Sequence, residues 1–323
     1  MAANPNPDIN PSLFLLPNSS ISPSNLECMQ IDLISGQKTK IVFTNPSVNE
    51  NIFLKEHACV SHGSLVLILG GRSPANGVAT DSVHIFNTET KEWLRGPNMM
   101  VKRSRFAWGV IGNRLYIAGG FGGSASGYLK ETDVYDFETK ELWAVSEMPV
   151  SMVIDIFFVY LGKLFVRGWV RDGGAKDPLK YFSYCPVKNA WQKDSWLRKA
   201  LKKFPPMTLN KFAVTKDNEI YMVEQSPDVP RVTKRKPSFL IVSNLDKHSL
   251  KWKRVYGMLD SEVPRHCKCA VDKEVRFLVL GKGVIVLMHD AYPDEGEITP
   301  LIPEITEVSV LCPSTWAAAI VNA

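Results

Sequence analysis

Residues Leu115 to Leu129 read LYIAGGFGGSASGYL, an apolar strand running straight into a glycine-rich loop. Gly120-Phe121-Gly122-Gly123-Ser124-Ala125 satisfies the relaxed G-x-G-x-x-G/A dinucleotide pattern. That pattern holds a pyrophosphate only when a helix starts at the loop, so that its free N–H groups and dipole meet the anion. Here the chain continues Tyr128-Leu129-Lys130-Glu131-Thr132-Asp133-Val134-Tyr135-Asp136-Phe137. This stretch is β-branched and aromatic and lacks the apolar period of a helix. Glu138-Thr139-Lys140 then reads as a turn before Leu142 and Trp143. The order is strand, glycine loop, strand, turn, strand. The glycines are expected to shape a turn, not to cradle a phosphate.

The same order occurs upstream. Gly70-Gly71 precedes Gly119-Gly120 by 49 residues (119 − 70), and Trp93 precedes Trp143 by 50 (143 − 93). Trp191 follows 48 later (191 − 143). A period near 50 with a double glycine and a downstream tryptophan resembles the kelch repeat, each copy being one four-stranded blade of a β-propeller. Innermost strands of such blades should carry a small residue where they crowd together. The stretches His57-Ala58-Cys59-Val60, Phe106-Ala107-Trp108-Gly109, Asp155-Ile156-Phe157-Phe158, Phe212-Ala213-Val214-Thr215, Cys269-Ala270-Val271-Asp272 and Trp316-Ala317-Ala318-Ala319 place alanine at five of six second positions. The fourth strands centre on Ile41, Trp93, Trp143, Trp191, Trp252 and Ile298.

The expected fold is therefore all-β, a six-bladed kelch-type propeller after a disordered tail at 1–12, forming a single domain over 13–323. Its blades would span 13–44 with 316–322, 57–97, 105–147, 152–198, 210–256 and 267–303. The C-terminal strand from Trp316 would join the N-terminal blade and close the ring, leaving no open sheet edge. The double glycine itself occurs in two blades; elsewhere the matching pairs are Leu16-Pro17, Arg167-Gly168, Val223-Glu224 and Leu280-Gly281.

The bulk composition narrows the class. In 323 residues, 45% hydrophobic and 22% charged content describe a globular chain, and a net charge of +5 points to neither nucleic acid nor membrane. No apolar run reaches the roughly 18 residues of a membrane span. The first residues lack the basic-then-apolar order of a signal peptide. Six scattered cysteines without such a signal fit reduced thiols in the cytoplasm or nucleus.

Asp81-Ser82-Val83-His84-Ile85-Phe86-Asn87, Trp93-Leu94-Arg95-Gly96-Pro97-Asn98-Met99 and Arg103-Ser104-Arg105-Phe106-Ala107 resemble the plant F-box/kelch-repeat group. Leu13-Phe14-Leu15-Leu16 and Glu27-Cys28-Met29-Gln30-Ile31-Asp32 resemble the blade that follows the F-box in that group. Met1 to Ser12, with three prolines, cannot form the helical F-box. The resemblance thus implies the recognition half alone, without direct recruitment of a ubiquitin-ligase adaptor. The metal motif of spaced Glu, Asp and His found in some plant kelch proteins is missing from the sequence.

Three constellations are candidates for function. His266-Cys267-Lys268-Cys269 and His57-Ala58-Cys59-Val60-Ser61-His62 offer soft ligands but no second spaced pair, so no metal or cofactor is expected. A basic set, Arg198, Lys199, Lys202, Lys203, Arg231, Lys234, Arg235 and Lys236, falls in connections of neighbouring blades. It reads either as a solvated rim or as a sector for an acidic partner protein; few aromatics accompany it, which disfavours nucleic acid. Around one mouth the repeat gathers Glu56, His57, Arg105, Asp155, Lys211 and Lys268, with Arg72 and Tyr128 behind the two glycine pairs. Arg72, Arg105, Lys211, Lys268, Asp155 and Tyr128 would then bind a partner protein or a small anionic ligand. Were the chain instead a specialised-metabolism enzyme, Asp155, His57 and Lys211 would be the acid/base candidates. A water-filled entrance is the third reading.

Overall fold

The computed structural model describes residues 12–16, 25–32, 38–44, 54, 56–73, 76–170, 179–202, 210–216, 219–225, 239–259, 269–271, 275–280, 283–288, 307–311 and 317–321. These residues form six four-stranded sheets. The all-β class expected from the repeat is the class observed. By its internal contacts the chain falls into two compact units, Met1–Ser104 with Arg265–Ala323, and Arg105–Pro264. Among the described residues no helix is long and apolar enough to cross a membrane.

In the first unit, β1 (Ser12–Leu16), β2 (Asn25–Asp32) and β3 (Lys38–Thr44) pair antiparallel, and β4 (Ala58–His62), β5 (Leu65–Leu69), β6 (Val83–Asn87) and β7 (Glu92–Arg95) form a meander. Val66 to Leu69 are buried along β5, as expected of a branched, apolar strand covered on both faces. Trp93 on β7 packs on Phe86 with ring centroids 5.1 Å apart.

The second unit holds three sheets in sequence. They are β8 (Ala107–Ile111) to β11 (Leu142–Val145) through β9 (Arg114–Ala118) and β10 (Thr132–Asp136); β12 (Val153–Tyr160), β13 (Lys163–Trp169), β14 (Leu179–Cys185) and β15 (Ala190–Lys193); and β16 (Asn210–Lys216), β17 (Glu219–Gln225), β18 (Phe239–Asp246) and β19 (Lys251–Leu259). Back in the first unit, β20 (Cys269–Val271), β21 (Val275–Leu280), β22 (Gly283–Met288) and β23 (Glu307–Leu311) make a further sheet. The last strand, β24 (Ala317–Val321), pairs antiparallel with β1, Leu13 opposite Ile320 and Phe14 opposite Ala319.

The repeat extends to a shared set of hydrogen bonds. Gly70 N–H donates to Ser82, Thr80 to Gly71, Ser73 to Val78 and Met99 to Asp81; forty-nine residues later (119 − 70) Gly119 donates to Glu131, Leu129 to Gly120, Gly122 to Gly127 and Met148 to Lys130, all at 2.7–2.9 Å. The turns before the outer strands repeat as well. The Oδ1 atoms of Asn87, Asp136 and Asp246 each accept from the amides two and three residues on, at 2.9–3.3 Å. Each of these turns ends on a left-handed residue, Lys91, Lys140 or Leu250, with φ between 53° and 61°.

Ala58 and Ala107 are buried at 4% and 0% exposure, and a Cβ added to Gly109 on β8 would collide with Val159 on β12. Ile156, at the second position that is not alanine, is buried too, at 2%.

Three features differ from the expectation. The segment after Trp191, read as a connecting loop carrying Arg198 and Lys199, contains a helix, α1 (Ser195–Leu201). Asp194 caps it, accepting from Leu197 N–H at 2.7 Å, and Leu197, Ala200 and Leu201 are buried with Ile156, Phe158, Ile220 and Met222 between two sheets. Secondly, β12 carries a register shift at Asp155, so that Ile156 pairs with Arg167 and Ile154 with Gly168. Arg167 therefore stands where Leu69 and Ala118 stand, and Gly168 matches the first glycine of the other pairs. Thirdly, β23 pairs parallel to β22 and lies at Glu307–Leu311, beyond the antiparallel strand expected around Ile298. A parallel neighbour needs a longer crossover than a hairpin, and 18 residues separate Met288 from Glu307 (306 − 289 + 1).

Candidate functional site

The opening loop uses its glycines internally. Gly119, with φ of 60°, turns the chain out of β9, and a Cβ there would lie 3.2 Å from the carbonyl oxygen of Leu129 and 2.5 Å from Met148 Cε. The N–H groups of Gly119, Gly122 and Gly127 are donated to protein carbonyls. A phosphate would have to compete with these bonds, and β10, not a helix, follows.

What the loop presents is a pair of rings. Phe121 and Tyr128 form an isolated antiparallel bridge, and their half-buried rings lie 5.2 Å apart, tilted by 54°. Ser124, Ala125 and Ser126 form the exposed tip beyond them. The sister loop has the same frame with different chemistry. Arg72 bridges Ala79, and its guanidinium grips Glu56, Nε to Oε2 at 2.6 Å and Nη2 to Oε1 at 2.9 Å. Glu56 itself holds a left-handed backbone with φ of 62°.

His57, next to Glu56, donates its Nδ1–H to the Leu54 carbonyl. With Nδ1–H as the donor, Nε2 is a buried acceptor, and it has no hydrogen-bond partner among the described residues. Burial holds its pKa below the ordinary imidazole value, the Leu54 contact opposing in part, so the ring is neutral.

In the second unit, Asp155 is clamped by Arg167, Nε to Oδ1 at 3.0 Å and Nη2 to Oδ2 at 2.6 Å. The Arg167 side chain is 0% exposed and that of Asp155 12%. Arg167 Nη1 also reaches the Leu201 carbonyl at the end of α1, at 3.4 Å. The bulge at Asp155 turns its carboxylate to this partner. Sequence reasoning named Asp155 and missed Arg167. The signal was an arginine inside the apolar run Leu164-Phe165-Val166-Arg167-Gly168-Trp169, because a buried guanidinium requires a counter-ion.

Arg105 is exposed, with a left-handed φ of 52°. Lys211 lies on β16 opposite Glu224. Lys268 lies outside the described residues. Of the basic set, Arg198 and Lys199 occupy the last turn of α1 and Lys202 its C-cap, all exposed, where positive charge complements the helix dipole. Lys203, Arg231, Lys234, Arg235 and Lys236 lie outside the described residues. Among the described residues no group of three His, Cys, Asp or Glu side chains is placed to hold a metal ion.

The kelch motif model matches residues 54–100 and 102–141, the two copies that share the hydrogen-bond frame. The chain is 27% identical over 154 residues to Kelch-like protein 34 of Homo sapiens, covering 42% of this chain and 23% of that protein. It is 33% identical over 145 residues to Kelch-like protein 25 of Xenopus tropicalis, covering 42% and 24%. The chain thus matches about a quarter of the length of these relatives. A solved structure titled "Structure of YjhT" superposes with a TM-score of 0.45 at 16% identity, over 70% of this chain and 72% of that one.

Proposed function

We propose that this chain is a recognition module, because the kelch motif matches residues 54–100 and 102–141 and the glycine loops there close on themselves and present side chains outward. It binds a partner protein, or a small anionic ligand, through the loops that follow the second strand of each repeat. The carrying observation is the Phe121–Tyr128 ring pair below an exposed tip. Aromatic residues with a polar handle are the side chains that dominate binding energy at interfaces. The exposed Arg105 at the start of the second unit supports a preference for negative charge.

Binding is favoured over acid/base turnover by the state of the ionisable groups. A catalytic base needs an accessible lone pair, and the Asp155 carboxylate is engaged on both oxygens by a buried guanidinium.

A photo-crosslinking amino acid placed at Tyr128, compared with one at the fully exposed Val187, tests this reading in a cell extract. A discrete adduct from position 128, absent from position 187, is expected. Equal adducts from both positions, or none from 128, would refute recognition by this loop.

A further inference from the structure

A different surface lies at the hairpin end of the second unit's strands. The β12–β13 hairpin turns through Leu161 and Gly162, with φ of 45° and 66°. Two positive values in a two-residue hairpin fit a type I′ turn, whose first position favours Asn, Asp or Gly. The sister hairpins β4–β5 and β8–β9 begin their turns with Gly63 and Gly112. Leucine is unfavourable in this backbone region, and here its side chain is 68% exposed, so no burial offsets the strain. Local strain that packing does not explain points to a role outside the fold.

The surroundings give that role a chemistry. Tyr160 stacks on Trp196 of α1, centroids 5.8 Å apart and planes 10° apart, both half-buried. The Lys247 ammonium lies over the Tyr160 ring, 5.9 Å from its centroid. Lys163 follows the turn, and Lys251 and Lys253 are exposed at the start of β19. The acid of the neighbouring turn, Asp246, already accepts from the His248 and Ser249 amides. Lys216 and Glu219, one charge of each sign, are register partners at the hairpin of the next sheet. The balance is an aromatic shelf with a protruding leucine inside a lysine-rich border.

We propose that this shelf docks a short acidic segment of a partner protein carrying one apolar anchor side chain. The anchor covers Leu161 and the Tyr160–Trp196 stack, and flanking carboxylates meet Lys247 and its neighbours. The surface does not depend on the loop reading: the Phe121–Tyr128 loop leaves from the end of β9 opposite its own hairpin.

The test uses fluorescein-labelled synthetic peptides in which one Leu or Trp is flanked by Glu and Asp, with Lys/Arg-flanked peptides as the counterpart. Fluorescence anisotropy is read against the full chain. Saturable binding of the acidic set alone is expected, weakened about ten-fold or more by Leu161→Asn and by Lys247→Glu, as for central contacts of an interface. Leu161→Asn should at the same time leave the melting temperature unchanged or raise it, since Asn suits the left-handed turn position. The pair Phe121→Ala/Tyr128→Ala should leave peptide affinity unchanged. The proposal is overturned if acidic peptides do not bind, if basic ones bind as well, if neither substitution weakens binding, or if Leu161→Asn lowers the melting temperature.

Discussion

Asp155 and Arg167 show how a single residue changes meaning once its partner is known. In the sequence Asp155 is an acid near a mouth; in the fold it neutralises a guanidinium with no exposed surface. Removing one member of such a pair leaves an uncompensated charge. Asp155→Ala should cost about 3–5 kcal/mol in urea unfolding, whereas replacing both residues with apolar ones should cost far less. A double variant that loses as much as the two single variants added together would mean that the pair is not coupled. His57 carries a second residue-scale consequence. Its pKa is depressed from 6.5 by burial, so above that value both folded and unfolded chains hold it neutral. Below 6.5 the unfolded chain takes up a proton that the folded ring resists, and stability falls as the pH drops. In His57→Phe that loss, measured by melting between neutral pH and pH about 5, should be smaller than in the native protein.

At the scale of elements, the repeated turns and the inserted helix make separate demands. Asp136 fixes its turn through two backbone amides and also accepts from Arg114 Nε at 2.9 Å, contacts that hold its carboxyl below the usual carboxylate range. Asn87 performs the turn role in the preceding repeat, so Asp136→Asn should melt close to the native protein and Asp136→Ala clearly below it. Equal losses in the two variants would mean that the ion pair, not the turn, holds the element. Helix α1 depends on Asp194, which caps Leu197 and accepts from Ser183 Oγ at 2.8 Å. Asp194→Ala should cost about 1–2 kcal/mol in denaturant unfolding. It should also perturb Trp252 emission, because the indole Nε1 donates to the Ala200 carbonyl at 2.6 Å.

These elements differ in how far the sequence discloses them. The glycine pairs, the Thr-Lys turns and the spaced tryptophans are visible because each is a local requirement restated at a fixed interval. Trp191 illustrates this: its Nε1 donates to Ser146 O at 2.9 Å and to Thr132 Oγ1 at 3.2 Å in the preceding sheet, so the spacing records a packing need. Helix α1 has seven residues, too few for an apolar period to stand out from a loop. The bulge at Asp155 moves the register by one residue without a glycine or proline to mark it. The left-handed Leu161 follows from no propensity, since the turn residue that local physics prefers is absent.

For the whole molecule, the chain contributes three four-stranded sheets to each of two units, and in the first unit the last strand completes a sheet with the first. Deleting Thr315 to Ala323 should leave β1 with unpaired backbone groups and lead to aggregation or a broadened unfolding transition. A soluble deletion with native melting would show that the pairing contributes nothing. The two repeats share one hydrogen-bond frame and differ in what their loops display. Residues 72–79 and 121–128 occupy that frame at an offset of 49 (121 − 72), one with an arginine clamp and the other with two aromatic rings. Replacing 121–128 by the sequence of 72–79, and measuring melting together with partner capture from extract, tests it in one experiment. Native-like melting and loss of the partner captured at Tyr128 are expected. Misfolding, or a partner retained at native affinity, would contradict this reading.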